Sequence, residues 1–269
     1  MASVQYQLSG AVICGPGQVR TKNQDNYYLN GKFNDDPLYA GVQRRADRAN
    51  GSGLYAVADG MGGEKLGEAA SWFAVRSLQE LPAAVSGLDL IAYLERRNGE
   101  ICALMRSNGG VRIGTTFVGL SIQDDLARII NIGDSRAYLF RQGQMRQVSC
   151  DHTTAQQMVD MGVLTREEAD KHPHRHALTQ HLGIFPEELL IEPYTKEGHI
   201  APGDIFLLCS DGLFEMVSDA QILETLSGSG DVKAKAEALF ARAMEGGGRD
   251  NITVMLISVE PPEGETSLR

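Results

Sequence analysis

Apolar residues in this chain fall into short continuous runs set off by glycines and polar clusters, and elsewhere they recur every three or four positions. The runs predict strands at "VQYQLSGAVIC" (4–14), "DNYYLN" (25–30), "LYAVA" (54–58), "TTFVGLSI" (115–122) and "ARIINIG" (127–133). Two more lie at "DIFLLCS" (204–210) and "NITVMLISV" (251–259), and "RAYLFRQGQMRQV" (136–148) predicts a hairpin turning at Gln142-Gly143. The helical period runs from Glu64 to about Leu81 through Ala69, Ala70, Phe73, Ala74 and Leu78. It returns from Leu88 to about Met105, and two further helices are predicted over 219–227 and 232–245. Strands outnumber helices and the helices come in consecutive pairs, which predicts antiparallel sheets flanked by helices rather than a doubly wound parallel sheet.

Two stretches break the pattern. Residues 30–53 are polar and glycine-containing, with Arg44, Arg45 and Arg48 clustered, and read as a solvated surface excursion. Residues 151–200 are rich in His, Thr and Glu, with helical pieces at 155–161 and 165–171, and read as a flap set into one domain spanning 1–259. Residues 260–269 read as a frayed tail.

Composition narrows the function. The formal charge of -10, from 35 acidic and 25 basic residues, argues against a nucleic-acid binder. The four cysteines are scattered, and Cys14 and Cys209 sit in apolar runs, as buried free thiols of a cytoplasmic protein would. No apolar stretch approaches membrane-spanning length and no leader precedes the first strand, so neither membrane nor export is expected.

The candidate chemistry lies where the strands end. Asp59, Asp134 and Asp211 each follow an apolar run, and Asp25 and Asp250 each stand immediately before one. In an antiparallel sheet the end of one strand lies beside the start of the next, so all five can share one edge. Five carboxylates there repel one another unless a cation compensates them, and hard divalent ions such as Mg²⁺ and Mn²⁺ suit oxygen ligands. Gly60, Gly62 and Gly63 let the backbone turn sharply after Asp59 and approach a ligand.

The segments "VRTKNQD", "VADGMGG", "GTT", "IGDSRAYL", "CSDGLFE" and "GGRDNITV" follow one another in the order and spacing of a known family. From about residue 5 to 258 the chain resembles the metal-dependent PP2C-like (PPM) protein serine/threonine phosphatases, in their bacterial stand-alone form. The resemblance implies an α+β, four-layer αββα sandwich in which two central antiparallel sheets are flanked by helical pairs. It implies two Mn²⁺ or Mg²⁺ ions, bridged by Asp59, with Asp211 and Asp250 completing the first ion's ligands. The Gly60 carbonyl would serve the second ion, and Asp25 would support it through water. Asp134, with Asp211, matches the position of a weaker third ion in bacterial relatives. Arg20 matches the arginine that grips the substrate phosphate, a role its planar fork suits. The substrates implied are phosphorylated proteins, including a cognate serine/threonine kinase and its targets, with the enzyme a monomer. Two positions depart from eukaryotic members: Gln24 stands where Glu is frequent, and Met61 where a histidine is proposed as general acid. Methionine donates no proton.

Other readings are weaker. His172, His174, His176 and His181 could hold zinc, but no cysteine accompanies them and a solvated flap explains them as well. "GPGQVR" lacks the phosphate-loop lysine, and no GxSxG elbow supports a serine nucleophile. A partner-switching phosphatase acting on a phosphorylated anti-sigma-factor antagonist is the nearest functional rival. A catalytically silent phosphoprotein-binding module is the other, and it would be expected to have lost some of the aspartates.

Overall fold

The computed structural model describes residues 5–62, 66–81 and 85–262. Gly63 and the first two residues of the predicted first helix, Glu64 and Lys65, fall outside the described residues, as does most of the predicted tail. In chain order come β1 (Gln7–Gly15), β2 (Asp25–Leu29), β3 (Lys32–Phe33), β4 (Gln43–Asn50) and β5 (Ser52–Met61), then α1 (Gly67–Arg76) and α2 (Gly87–Ser107). Next are β6 (Gly114–Thr115), β7 (Phe117–Gln123), β8 (Leu126–Ile132), β9 (Arg136–Arg141) and β10 (Gln144–Gln147), followed by α3 (Thr154–Asp160) and α4 (Arg166–Ala169). The chain ends with β11 (Tyr194–His199), β12 (Ile205–Cys209), α5 (Asp211–Phe214), α6 (Asp219–Ser227), α7 (Val232–Glu245) and β13 (Ile252–Glu260).

The strands form two antiparallel sheets, one in the order β10-β9-β12-β13-β1-β4 and the other β11-β8-β7-β5-β2-β3, with β6 paired to β5. Each central strand is buried on both faces, which is why it reads as an unbroken apolar run and not as an alternation. On β13, Met255, Ile257 and Val259 point between the sheets, where they meet Tyr55 and Val57 of β5. Val254 and Leu256 point outward under α6 and α7. The opposite face of β5, through Leu54, Ala56 and Ala58, carries α1 and α2. The result is the αββα sandwich.

Local sequence signals fix the helix starts. Ser86 and Asp89 form a reciprocal capping box at α2, Ser218 and Gln221 another at α6, and Asp231 caps α7 through the Ala234 amide. The Gln142-Gly143 turn between β9 and β10 has φ of 52° and 76°, the left-handed pair that a two-residue hairpin requires.

Two expectations change. Residues 43–50 are not an excursion: they form edge strand β4, paired along β1. Its arginines face outward, Arg44 reaching Glu237 of α7 at 2.8 Å, and such charge blunts an open sheet edge. Lys32 and Asn30 bind Asp47 at 2.8 and 2.9 Å, clipping this edge to the other sheet. The second change lies in 151–200, whose final portion, Tyr194–His199, is strand β11 on the edge beside β8. The inserted segment therefore ends near residue 193.

Leu208 of β12 is fully buried between the sheets, while Leu88 is 78% exposed. Leu208→Ala is expected to lower unfolding free energy by about 2–5 kcal/mol in urea titrations, and Leu88→Ala by less than about 0.5. Equal effects would show that the intersheet layer is not the core.

Candidate active site

Asp25 opens β2 directly opposite Asp59 of β5, so backbone pairing sets these two carboxylates side by side. Asp134 follows β8, Asp211 follows β12 at the first residue of α5, and Asp250 precedes β13. Both sheets thus deliver aspartates to the same end of the sandwich. Close backbone packing makes this possible. A side chain on Gly60 would run into the carbonyls of Gly67 and Gln24, and one on Gly212 into the carbonyl of Asn251.

The carboxylates perturb one another. Burial pushes Asp59 well above the ordinary carboxylate range, and the charges of Asp25, Asp211, Asp134 and Asp250 add to it. Burial, with smaller contributions from Asp211 and Asp250, raises Asp25 to about 7. Burial, then Asp211 and Asp151, raises Asp134 to about 7. Asp211 rises to about 6 through burial and its neighbours Asp250 and Glu215, moderated by a hydrogen bond with Asp59.

Asp25 Oδ1 and Asp211 Oδ1 are buried without any hydrogen-bond partner. A buried carboxylate oxygen left alone is costly. A divalent cation supplies the missing partner and reverses the local charge balance, so this set of donors fits one chemically. Among the described residues, though, no three His, Cys, Asp or Glu side chains already stand in a closed ligand arrangement. One reason is visible: Arg20 takes up Asp250 Oδ2 at 2.7 Å, and its charge also faces Asp211 and Asp59. Arg20 therefore reaches the predicted end of the molecule, but there it answers a carboxylate.

Other polar residues hold the frame. Asn251 accepts the Gln24 amide at 2.8 Å and donates to the Lys22 carbonyl at 2.7 Å, tying the Arg20 loop to the start of β13. Thr116 Oγ1 accepts the Asp59 amide at 3.0 Å, and Thr115 Oγ1 donates to the Asp59 carbonyl at 2.8 Å. Glu68 of α1 accepts from Lys22 and from Gln24, so the glutamine at this departure from the family pattern is engaged with a neighbouring acid. Met61 ends β5 opposite Gly114 and is half-buried.

Beside Asp134 opens a cleft of ≈ 530 Å³ between α5 and the inserted segment, lined in part by Arg136, Arg166, Arg175, His176 and Glu215. Arg136 closes one wall, paired with Asp151 at 2.7 Å and stacked 4.0 Å over Phe214. The four predicted histidines do not converge. The His172 and His174 rings are 5.6 Å apart, His176 faces Glu215 at 3.7 Å, and His181 bonds the Leu182 carbonyl. Sequence reasoning missed Ser210, Thr253 and Asn23, which surround Asp25; only their adjacency to strand-end aspartates hinted at them.

This geometry, strand-end aspartates of two packed antiparallel sheets meeting at one end, defines a class of metal-dependent phosphatase folds. Residues 25–248 match the protein phosphatase 2C family, and the chain belongs to it. The chain is 37% identical over 96% of its length to the serine/threonine protein phosphatase PstP of Mycobacterium tuberculosis, of whose length it spans 46%. It is 34% identical to protein phosphatase PhpP of Streptococcus pneumoniae, covering 95% of this chain and 99% of PhpP. The PstP catalytic domain in complex with two manganese ions superposes with a TM-score of 0.73 at 33% identity, over 95% of this chain and 99% of that one.

The raised carboxyls give a testable sign. With Asp25 near 7 and Asp211 near 6 against 3.8 in the unfolded chain, the folded metal-free protein retains protons that the unfolded chain has lost. These groups therefore make stability fall as pH rises from about 4 to about 7. Thermal unfolding after chelation should show Tm dropping across that window, less steeply in Asp211→Asn, with Mn²⁺ restoring Tm most at pH 8. Identical slopes in the two proteins would remove Asp211 from the cluster.

Proposed function

We propose that the chain is a metal-dependent protein phosphatase that hydrolyses phosphoserine and phosphothreonine on proteins. The observation that carries this reading is the set of five aspartates gathered at one end of the sandwich, with two buried carboxylate oxygens left without a partner. Asp59, Asp211 and Asp250 would hold one divalent cation, Asp59 with the Gly60 carbonyl a second, supported by Asp25, and Asp134 with Asp211 a weaker third. Mn²⁺ or Mg²⁺ held there would compensate the carboxylates and would supply the Lewis acidity that makes water nucleophilic toward a phosphoryl group. The chain's own residues do the rest. Thr115 and Thr116 fix the backbone around Asp59, and Asn251 fixes the loop bearing Arg20.

Arg20, more than half exposed, is free to swing from Asp250 to phosphoryl oxygens, where its fork neutralises developing charge. No cysteine is poised as a nucleophile: burial raises all four thiols, Cys14 to about 12. Free cysteines favour a cytoplasmic protein, and the phosphoproteins it would act on include the targets of a serine/threonine kinase; no helix among the described residues is long and apolar enough to cross a membrane. A silent scaffold would have no need of five carboxylates gathered at one end of the sandwich.

Hydrolysis of p-nitrophenyl phosphate and of a phosphothreonine peptide should vanish in EDTA and return with Mn²⁺. Turnover in a verified metal-free preparation would sink the reading. Asp211→Asn should lower kcat by orders of magnitude, whereas Asp134→Asn should be milder on metal content. The reverse ranking would overturn the assignment of ions. Arg20→Ala should raise KM several-fold while leaving Mn²⁺ stoichiometry unchanged. An unchanged KM would move the phosphate contact elsewhere.

A further inference from the structure

Asp25 is gripped from behind. Its Oδ2 accepts two hydroxyl hydrogen bonds, from Ser210 Oγ and Thr253 Oγ1, each at 2.7 Å, while Oδ1 has no partner. Both hydroxyls are completely enclosed, and Asp25 is 2% exposed. Neither donor is loose. Ser210 Oγ accepts the Thr253 amide at 3.0 Å, which leaves its own proton for Asp25. Thr253 Oγ1 lies 3.1 Å from Cys14 Sγ, but a carboxylate is the stronger acceptor for its single proton. Asn23 completes the shell, donating to the Cys14 sulfur at 3.2 Å and accepting the Asp25 amide at 3.2 Å.

The donors belong to one sheet and the acceptor to the other. Ser210 follows β12 and Thr253 lies near the start of β13, whereas Asp25 opens β2. The two bonds therefore fix the carboxylate's rotation across the intersheet gap. They satisfy one oxygen and leave the other, Oδ1, buried without a partner.

We propose that Ser210 and Thr253 are positioning residues that hold Asp25 Oδ1 toward the divalent cation and thereby set the affinity of the site. This rests on reading Asp25 as a support of that cation, so the experiment tests the two separately. Mn²⁺ binding is measured by titration calorimetry on chelated protein for wild type, Asp25→Asn, Ser210→Ala, Thr253→Val and Thr253→Ser. Valine keeps the shape of threonine without its donor, and serine keeps the donor without the methyl. Ser210→Ala and Thr253→Val should each weaken Mn²⁺ by about tenfold or more, while Thr253→Ser binds within about twofold. Equal weakening by Thr253→Val and Thr253→Ser would show a packing effect and overturn the proposal. So would wild-type affinity in both Thr253→Val and Ser210→Ala while Asp25→Asn is weak. Wild-type affinity in Asp25→Asn would instead overturn the role of Asp25 itself. If Thr253→Val fails to fold, Ser210→Ala decides alone.

Discussion

Charge repulsion among carboxylates withheld from water is the constraint to which the rest of this structure answers. Burial alone would drive such groups to take up protons, and each neighbour drives them further. The protein's own response is partial. Arg20 meets Asp250, Asp59 shares a hydrogen bond with Asp211, and the hydroxyls of Ser210 and Thr253 meet Asp25. None of these reaches Asp25 Oδ1 or Asp211 Oδ1. The folded chain thus retains uncompensated negative charge at one end, which retained protons or a divalent cation would neutralise.

The sandwich makes that arrangement affordable because it concentrates stability elsewhere. The layer between the sheets is apolar through Tyr27, Leu29, Tyr55, Leu208 and Met255, and the helix pairs seal both outer faces. Antiparallel pairing then brings strand ends and strand starts to one rim, where the backbone is already fixed by neighbouring strands. Side chains there need only short hydrogen bonds to be set: threonine to backbone at Asp59, asparagine to backbone around Arg20.

Much of this was legible in the sequence because the strong signals are local. Continuous apolar runs marked the central strands, apolar residues at helical spacing marked the helices, and the aspartates stood conspicuously at strand ends. The edge strands were not legible. In "QRRADRAN" and "YTKEGH" most side chains face solvent, so no apolar pattern announces a strand, and only pairing with β1 and β8 makes them one. The helix Asp211–Phe214 is a single turn, too short for periodicity to register. The Arg20–Asp250 contact joins residues 230 positions apart, and Thr253 looks like any strand threonine until the second sheet arrives beside it.

The inserted segment is anchored at both ends to the framework that carries the carboxylates. The His152 amide donates to the Gly133 carbonyl, Leu182 pairs with Thr115, and Asn98 of α2 holds the backbone at Gly183 and Ile184. Between these fixed points the loop can change in length and composition without altering the register of any central strand. What the adjoining cleft admits is therefore separable, over evolutionary time, from the chemistry at the rim: recognition can diversify while the reactive centre stays invariant.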